Sequence, residues 1–140
     1  VWKEYRYGIW NGPAVPPDLR LYRTRCVRPL NAAAMRAAAA WLVGRHDFAA
    51  FAANPNRVVE STVRTITRLA IQKRGPDLCL VVRGDGFLYK MVRSLAGLLI
   101  RIGEGAVSPE SAKNILESRL RTAAVPTAPP QGLFLWRVGY

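Results

Sequence analysis

The sequence predicts an α+β fold, a mostly antiparallel sheet with helices packed on one side. Three observations predict it. Aromatic and β-branched residues alternate at both ends of the chain, two strand-like runs meet around Gly75-Pro76, and apolar residues recur at three- and four-residue steps in separate segments. A chain of 140 residues suits one domain around a single core.

The first ten residues, "VWKEYRYGIW", alternate so that Lys3, Tyr5, Tyr7 and Ile9 share one face and Trp2, Glu4, Arg6 and Trp10 the other, the pattern of a half-buried strand. The chain is strand-like from its first residue and has no initiator Met, which reads as a piece of a longer protein. "NGPAVPP" breaks the strand as a loop, and "LYRTRCVRPL" reads as a second short strand or extended segment. Asn31 is the N-cap of a helix through "AAAMRAAAAWLVG", with Met35, Ala39, Leu42 and Val43 on its inner stripe and Gly44 at its end. "RHDFAAFAANPNRVVES" is expected to form a turn of helix and a polar loop. "TVRTITRLAIQKRG" and "DLCLVVRGDG" then make the hairpin.

"GDGFLYKMVR" opens with a turn, passes an aromatic and becomes a helix. Met91, Leu95, Leu98, Leu99 and Ile102 bury one face of it, while Lys90, Arg93, Gly97 and Arg101 form a second stripe. "SPESAKNILESRL" is a third helix with Ser108 as N-cap and Pro109 at its first position. "TAAVPTAPPQG" is a Pro-rich connector, and "LFLWRVGY" closes the chain as a strand with Phe134, Trp136, Val138 and Tyr140 on one face.

Charge narrows the partners. With 21 Lys and Arg against 9 Asp and Glu, and pI near 10.9, the chain attracts polyanions: RNA, DNA or acidic membrane surfaces. No apolar run is long enough to cross a bilayer and no signal-peptide pattern opens the chain, so a soluble, intracellular protein is expected. Cys26 and Cys79 are too few for a disulfide framework and are expected to be reduced. The one histidine, His46, has no CxxC or HExxH companion, so no metal is expected and His46 reads as a hydrogen-bonded structural residue. A nucleophilic triad would need that same His46, and neither "GEG" nor "GDG" has the spacing of a phosphate loop. Lys3, Tyr5, Arg6, Tyr7, Arg64, Arg68, Lys73, Arg74, Arg83, Lys90 and Arg93 lie on or beside strands of one expected sheet. Together they predict a positive, aromatic-bearing surface for nucleic acid, although any one of them is also an ordinary solvated residue.

Five motifs in order, "YRYGIWN", "GRHDFAAF", "TVRTI", "GDGFLYKMVRSLAG" and "TAPPQGLFLWRVGY", resemble the C-terminal half of the tRNA pseudouridine synthase A family. That resemblance implies a pseudouridine synthase half-domain over residues 1–140, from an enzyme that isomerises uridine to pseudouridine in the anticodon stem-loop of tRNA without cofactor or metal. The family's catalytic aspartate belongs to a "GRTDAGVH"-type motif of the N-terminal half, which is absent here; "GRHDF" matches a different motif, so Asp47 is not carried over. By the same resemblance Tyr5, the first tyrosine of "YRY", is expected to stack on the flipped uracil and is a candidate for taking the C5 proton. Arg93 would pair with the aspartate of the missing half. Tyr7, Phe87, Lys90, Leu133 and Leu135 are the expected substrate-binding residues, with core packing the alternative for Phe87, Leu133 and Leu135. Lys3, Arg6, Arg64 and Arg83 are the expected RNA-binding residues. The implied partners are tRNA, the missing half, and a second copy in a cytoplasmic homodimer, with no membrane. The fragment alone is expected to be inactive; a non-catalytic RNA-binding module or a ribosome-associated scaffold are the other readings.

Overall fold

Strand β1, Trp2–Trp10, is the spine of the fold because it alone among the described strands pairs with three others. The structure, a computed structural model, describes residues 1–53 and 59–140; the middle of the expected polar loop, 54–58, lies outside the described residues. One edge of β1 pairs antiparallel with β5, Asp77–Gly84, which continues through β4, Val63–Arg74, to the edge strand β3, Gly44–Asp47. Its other edge takes the short parallel β2, Thr24–Arg25, near one end and the antiparallel β6, Leu133–Gly139, near the other. The sheet is therefore mixed but mostly antiparallel. Helices α1, Ala32–Leu42, α2, Met91–Gly103, and α3, Ser111–Ser118, pack on one side, giving the α+β architecture.

Side-chain alternation decides which side the helices cover. Tyr7 and Ile9 of β1, Leu78, Leu80 and Val82 of β5, and Ile66, Leu69 and Ile71 of β4 all join the core. Ile66 and Leu69 are three residues apart, which in a regular strand would place them on opposite faces. A register shift between Ile66 and Arg68 absorbs the extra residue. Against this layer α2 buries Met91, Leu95, Leu98, Leu99 and Ile102 almost completely. Each such side chain contributes about 1.5–3 kcal/mol of gross burial free energy, which is what holds the helix across the sheet. Helix α1 is capped as its sequence predicts, the Asn31 Oδ1 accepting from the Ala34 N–H at 3.1 Å. The Arg36 guanidinium ties it to β4 by donating to the Ile71 carbonyl. The hairpin turn falls at Gly75–Pro76, with Gly75 at φ 59° and Arg74 facing Asp77. Both cysteines are free thiols.

Five local expectations need correction. Gly44–Asp47 is an edge strand rather than loop, because its backbone finds a partner in Val63–Ile66, while Ala49–Phe51 does form the expected turn of helix. Val43 is exposed and Ala38 takes its place in the buried stripe of α1, since the helix ends at Leu42 and Val43 is already extended. Helix α3 starts at Ser111, with Glu110 at the cap; Ser108 and Pro109 form a preceding turn whose carbonyls accept from Ser111 and Ala112. A bulge opposite Glu4 and Tyr5 interrupts β6, so Phe134 and Trp136 share a face but Val138 crosses to the face of Lys3. The basic stripe of α2 is not open, because Gly97 lies buried beneath the Pro-rich connector.

The face of the sheet away from the helices carries a charge cluster. Glu4 is 1% exposed, and its carboxylate accepts from Arg83 at 2.9 and 3.1 Å and from Arg6 at 3.2 and 3.3 Å. Arg6 lies over the Trp136 ring at 4.2 Å and Arg83 over the Trp2 ring at 4.1 Å, so three strands share one ladder of charges and rings. Burial alone would raise the Glu4 pKa; the hydrogen bonds and positive charges of Arg83 and Arg6 outweigh it and hold the carboxyl below its ordinary value. Its contribution is therefore complete above the ordinary carboxylate range and is lost as the pH falls through that range toward the lowered value. Glu4→Gln is expected to lower Tm at neutral pH and to flatten the acid limb of stability against pH. Parallel acid limbs in thermal melts of the two proteins would remove Glu4 as the source.

Candidate active site

The half of β1 that the helices leave uncovered ends in Lys3 and Tyr5, and the site is built around Tyr5. Its neighbours across the sheet are Val82 on β5 and Leu135 on β6. The Phe87 ring meets the Tyr5 ring edge-on, with centroids 5.1 Å apart and planes at 86°. The "GDGF" turn places Phe87. Asp85 clamps the turn to β4, its N–H donating to the Thr65 carbonyl at 3.1 Å and its carboxylate accepting from the Thr65 N–H at 2.9 Å. Gly84 is required for close approach, since a Cβ there would lie 2.6 Å from the Thr65 oxygen and 3.3 Å from the Phe87 ring.

Tyr5, Phe87, Lys90 and Leu133 thus line one cleft of about 230 Å³, together with Leu88, Tyr89, Met91 and Val92. This is smaller than the roughly 300–1,000 Å³ of drug-sized pockets and suits a single flat ring between aromatic and aliphatic walls. Among the described residues no carboxylate lines the cleft. The Tyr5 hydroxyl makes no hydrogen bond to any described residue. Lys90 stands at the rim in the left-handed region, φ 57° and ψ 19°, as the cap of α2. Leu135, 51% exposed, sits outside the cleft beside Tyr5.

Arg93 lies one residue beyond the lining residue Val92 and is itself half-buried. Its Nε donates to the Ala128 carbonyl at 2.8 Å, and the Ala128 N–H donates back to the Arg93 carbonyl at 3.0 Å. That bond occupies one guanidinium donor. No carboxylate among the described residues pairs with Arg93, and its terminal nitrogens make no hydrogen bond to a described residue.

The expected basic surface divides between two faces. Lys3 lies on the Tyr5 face, and Arg64 reaches the "GDGF" turn, its Nη1 donating to the Ser61 and Val63 carbonyls at 2.8 Å while its chain passes 3.6 Å from where a Gly86 Cβ would stand. Arg6 and Arg83 lie on the opposite face, tied to Glu4. Tyr7 is fully buried and contacts no solvent. Its hydroxyl donates to the Pro129 carbonyl at 2.7 Å and lies 2.6 Å from the Thr24 Oγ1. Burial pushes its pKa up to about 12, against the lowering effects of the Thr24 hydrogen bond and the Arg93 charge, so the phenol stays protonated. Thr24, Ala128 and Pro129 are contacts that sequence reasoning did not name; the "TAPPQG" motif was the available signal for Ala128 and Pro129, and no motif marked Thr24.

Asp47 is used structurally, accepting from the Ala49 N–H and the Thr62 hydroxyl with Arg119 at 3.7 Å. His46 Nε2 is bonded to the Val43 carbonyl at 3.0 Å. Burial raises the Cys26 thiol to about 11, which makes it unreactive at neutral pH. Among the described residues no group of three or more His, Cys, Asp or Glu is placed to hold a metal, and no helix is long and apolar enough to cross a membrane.

The family model described as tRNA pseudouridine synthase matches residues 38–140, a span that contains Phe87, Lys90, Arg93, Leu133 and Leu135. The chain belongs to the tRNA pseudouridine synthase family. It is 41% identical over 138 residues to the tRNA pseudouridine synthase A of Brevibacillus brevis, covering 99% of this chain and 56% of that protein. It is 37% identical over 140 residues to the same-named protein of Methylacidiphilum infernorum, covering 100% and 55%. For Chlamydia trachomatis the figures are 43% over 141 residues, 99% and 51%. The chain therefore spans about half the length of the curated relatives it matches. Tyr5 and Tyr7 precede the family match but fall within the alignments to these longer synthases.

Proposed function

We propose that this chain is the C-terminal part of a tRNA pseudouridine synthase A that isomerises uridine to pseudouridine in the anticodon stem-loop, and that it is inactive alone. The observation that carries the reading is a one-ring aromatic cleft with no carboxylate, in a chain that spans half of its relatives. The reaction breaks the bond from N1 of uracil to the ribose C1′, turns the base, and joins C1′ to C5; N1 gains a proton and C5 loses one, so no cofactor is required. Tyr5 stacks on the flipped base and relays the C5 proton, its hydroxyl oxygen accepting that proton as its own passes to solvent. Arg93 pairs with the aspartate that the other half supplies, keeping that carboxylate ionised and oriented. Phe87 and Leu133 wall the base, Leu135 borders it, and Lys3, Arg64 and Lys90 meet phosphates on the cleft side. Arg6 and Arg83 serve RNA only from the far face. In the intact cytoplasmic enzyme the partners are tRNA, the N-terminal half and a second copy.

Pseudouridine formation on an unmodified tRNA transcript tests this. The chain alone is expected to bind in a salt-sensitive way without turnover, and the N-terminal half of the same protein to restore turnover. Turnover by the chain alone would mean that a carboxylate present here does the chemistry. Lys90 provides a separate check, because its left-handed backbone costs a non-glycine residue about 1–2 kcal/mol. Lys90→Gly is expected to raise stability by roughly 0.5–1 kcal/mol, the relief being offset by glycine's greater unfolded-state entropy. The same change should reduce the salt slope of tRNA binding by about one. Raised stability with an unchanged slope would take Lys90 out of the RNA contact.

A further inference from the structure

We infer that Tyr7 and Thr24 are positioning residues for Arg93, acting through the backbone of the connector rather than by touching substrate. The inference rests on the proposed role of Arg93 for its functional meaning but on geometry for its content.

The hydrogen-bond directions follow from proton counting. The Pro129 carbonyl can only accept, so the single proton of the Tyr7 hydroxyl, 2.7 Å away, goes to it. The Tyr7 oxygen is then the acceptor toward Thr24, and the Thr24 hydroxyl donates to it across 2.6 Å. The chain runs Thr24 to Tyr7 to Pro129, and the adjoining Ala128 exchanges two bonds with Arg93, one from Nε and one to its backbone carbonyl. Hydrogen bonds in such a series polarise one another in a dry interior. Both starting residues are dry: Tyr7 has no exposed surface and Thr24 is 5% exposed.

Thr24 reaches this place because the two-residue strand β2 pairs parallel with β1, opposite Ile9. The connector turn can close over the pair because residue 132 is glycine. A Cβ there would lie 2.6 Å from the Gly8 carbonyl, 2.9 Å from the Tyr7 ring and 3.0 Å from the Thr24 Oγ1. An arginine on the first turn of a helix ordinarily samples many rotamers. Here the Ala128 carbonyl selects one, and the position of that carbonyl is set by the neighbouring peptide that Tyr7 holds.

The test reads Arg93 directly and requires neither RNA nor turnover, so its failure and that of the proposed function are distinguishable. In the chain labelled with ¹⁵N-arginine, the Arg93 Nε–H signal is assigned by its disappearance in Arg93→Lys, and its exchange with water is measured. Tyr7→Phe and Thr24→Val are each expected to speed that exchange roughly five- to tenfold, the protection lost with one hydrogen bond. Thr24→Ser, which keeps the hydroxyl, should restore the wild-type rate. The Arg23 Nε–H, bonded to Asp77 at 2.7 Å on the other face of the sheet, should not change and reports that the fold is intact. A fall in Tm with unchanged Arg93 exchange would make both residues merely structural and overturn the inference. If Tyr7→Phe fails to fold, the near-isosteric Thr24→Val and its Thr24→Ser rescue decide alone.

Discussion

Arg93→Lys in the complete two-half enzyme is expected to lower turnover by roughly a hundredfold or more, the scale for removing one preorganised donor from a charged centre, while tRNA affinity changes only a few-fold. Net charge is conserved, so the long-range attraction for tRNA is retained. What is lost is the fork. The arginine spends Nε on the Ala128 carbonyl and still has two terminal nitrogens for a carboxylate. A lysine ammonium is one point on a flexible stem and cannot hold the connector and orient a carboxylate at once. Measured together, single-turnover pseudouridine formation and tRNA binding decide the matter. Retained turnover, or turnover that survives while binding collapses, would place Arg93 in RNA contact instead of at the reacting carboxylate.

Gly97→Ala is expected to destabilise the chain although alanine is the better helix former. Propensity favours the change by about 0.8–1 kcal/mol. Sterics oppose it: a Cβ at this position would overlap the Pro126 carbonyl oxygen and lie 2.8 Å from its carbon. Both are backbone atoms, and no rotamer relieves the overlap. Overpacking of a tight site typically costs 1–3 kcal/mol, and overlap with backbone puts this site at about 2–3, so a net loss of roughly 1–2 kcal/mol is expected and a Tm several degrees lower. The same displacement of the connector should accelerate exchange of the Arg93 Nε–H. A higher Tm in Gly97→Ala would show that the connector does not lie on α2 in solution.

Much of the fold was legible because its signals are local. The Asn31 cap and the five apolar positions from Met91 to Ile102 depend on the spacing of neighbouring residues, and the structure has them where the sequence predicts. The Gly75–Pro76 hairpin is local in the same way. The misreadings share a different cause. Gly44–Asp47 has no strong alternation, and only its pairing with Val63–Ile66 makes it a strand. The bulges in β4 and β6 insert one residue each, and one residue is enough to move every following side chain to the other face.

For the cleft, the motif resemblance selected Tyr5, Tyr7, Phe87, Lys90, Leu133 and Leu135; Tyr5, Phe87, Lys90 and Leu133 line one cleft, and Tyr7 and Leu135 do not. It could not anticipate that Tyr7, two residues from Tyr5 and on the same face, would be wholly buried while Tyr5 stays accessible. The helices cover only one end of β1, and where their cover stops is a property of the packed layer.

By itself, then, the sequence determined the α+β class, the main helices and strands, the excess of positive charge, and the motifs shared with the tRNA pseudouridine synthases, all of which follow from residue type and short-range spacing. Tertiary structure alone decided that Arg6 and Arg83 turn away from Tyr5 to enclose Glu4, and that Arg93 is fixed by a connector 35 residues further along the chain. The physical reason is that sheet register and the docking of the connector bring together groups far apart in sequence, and no pattern confined to a few neighbouring residues encodes which of them will meet.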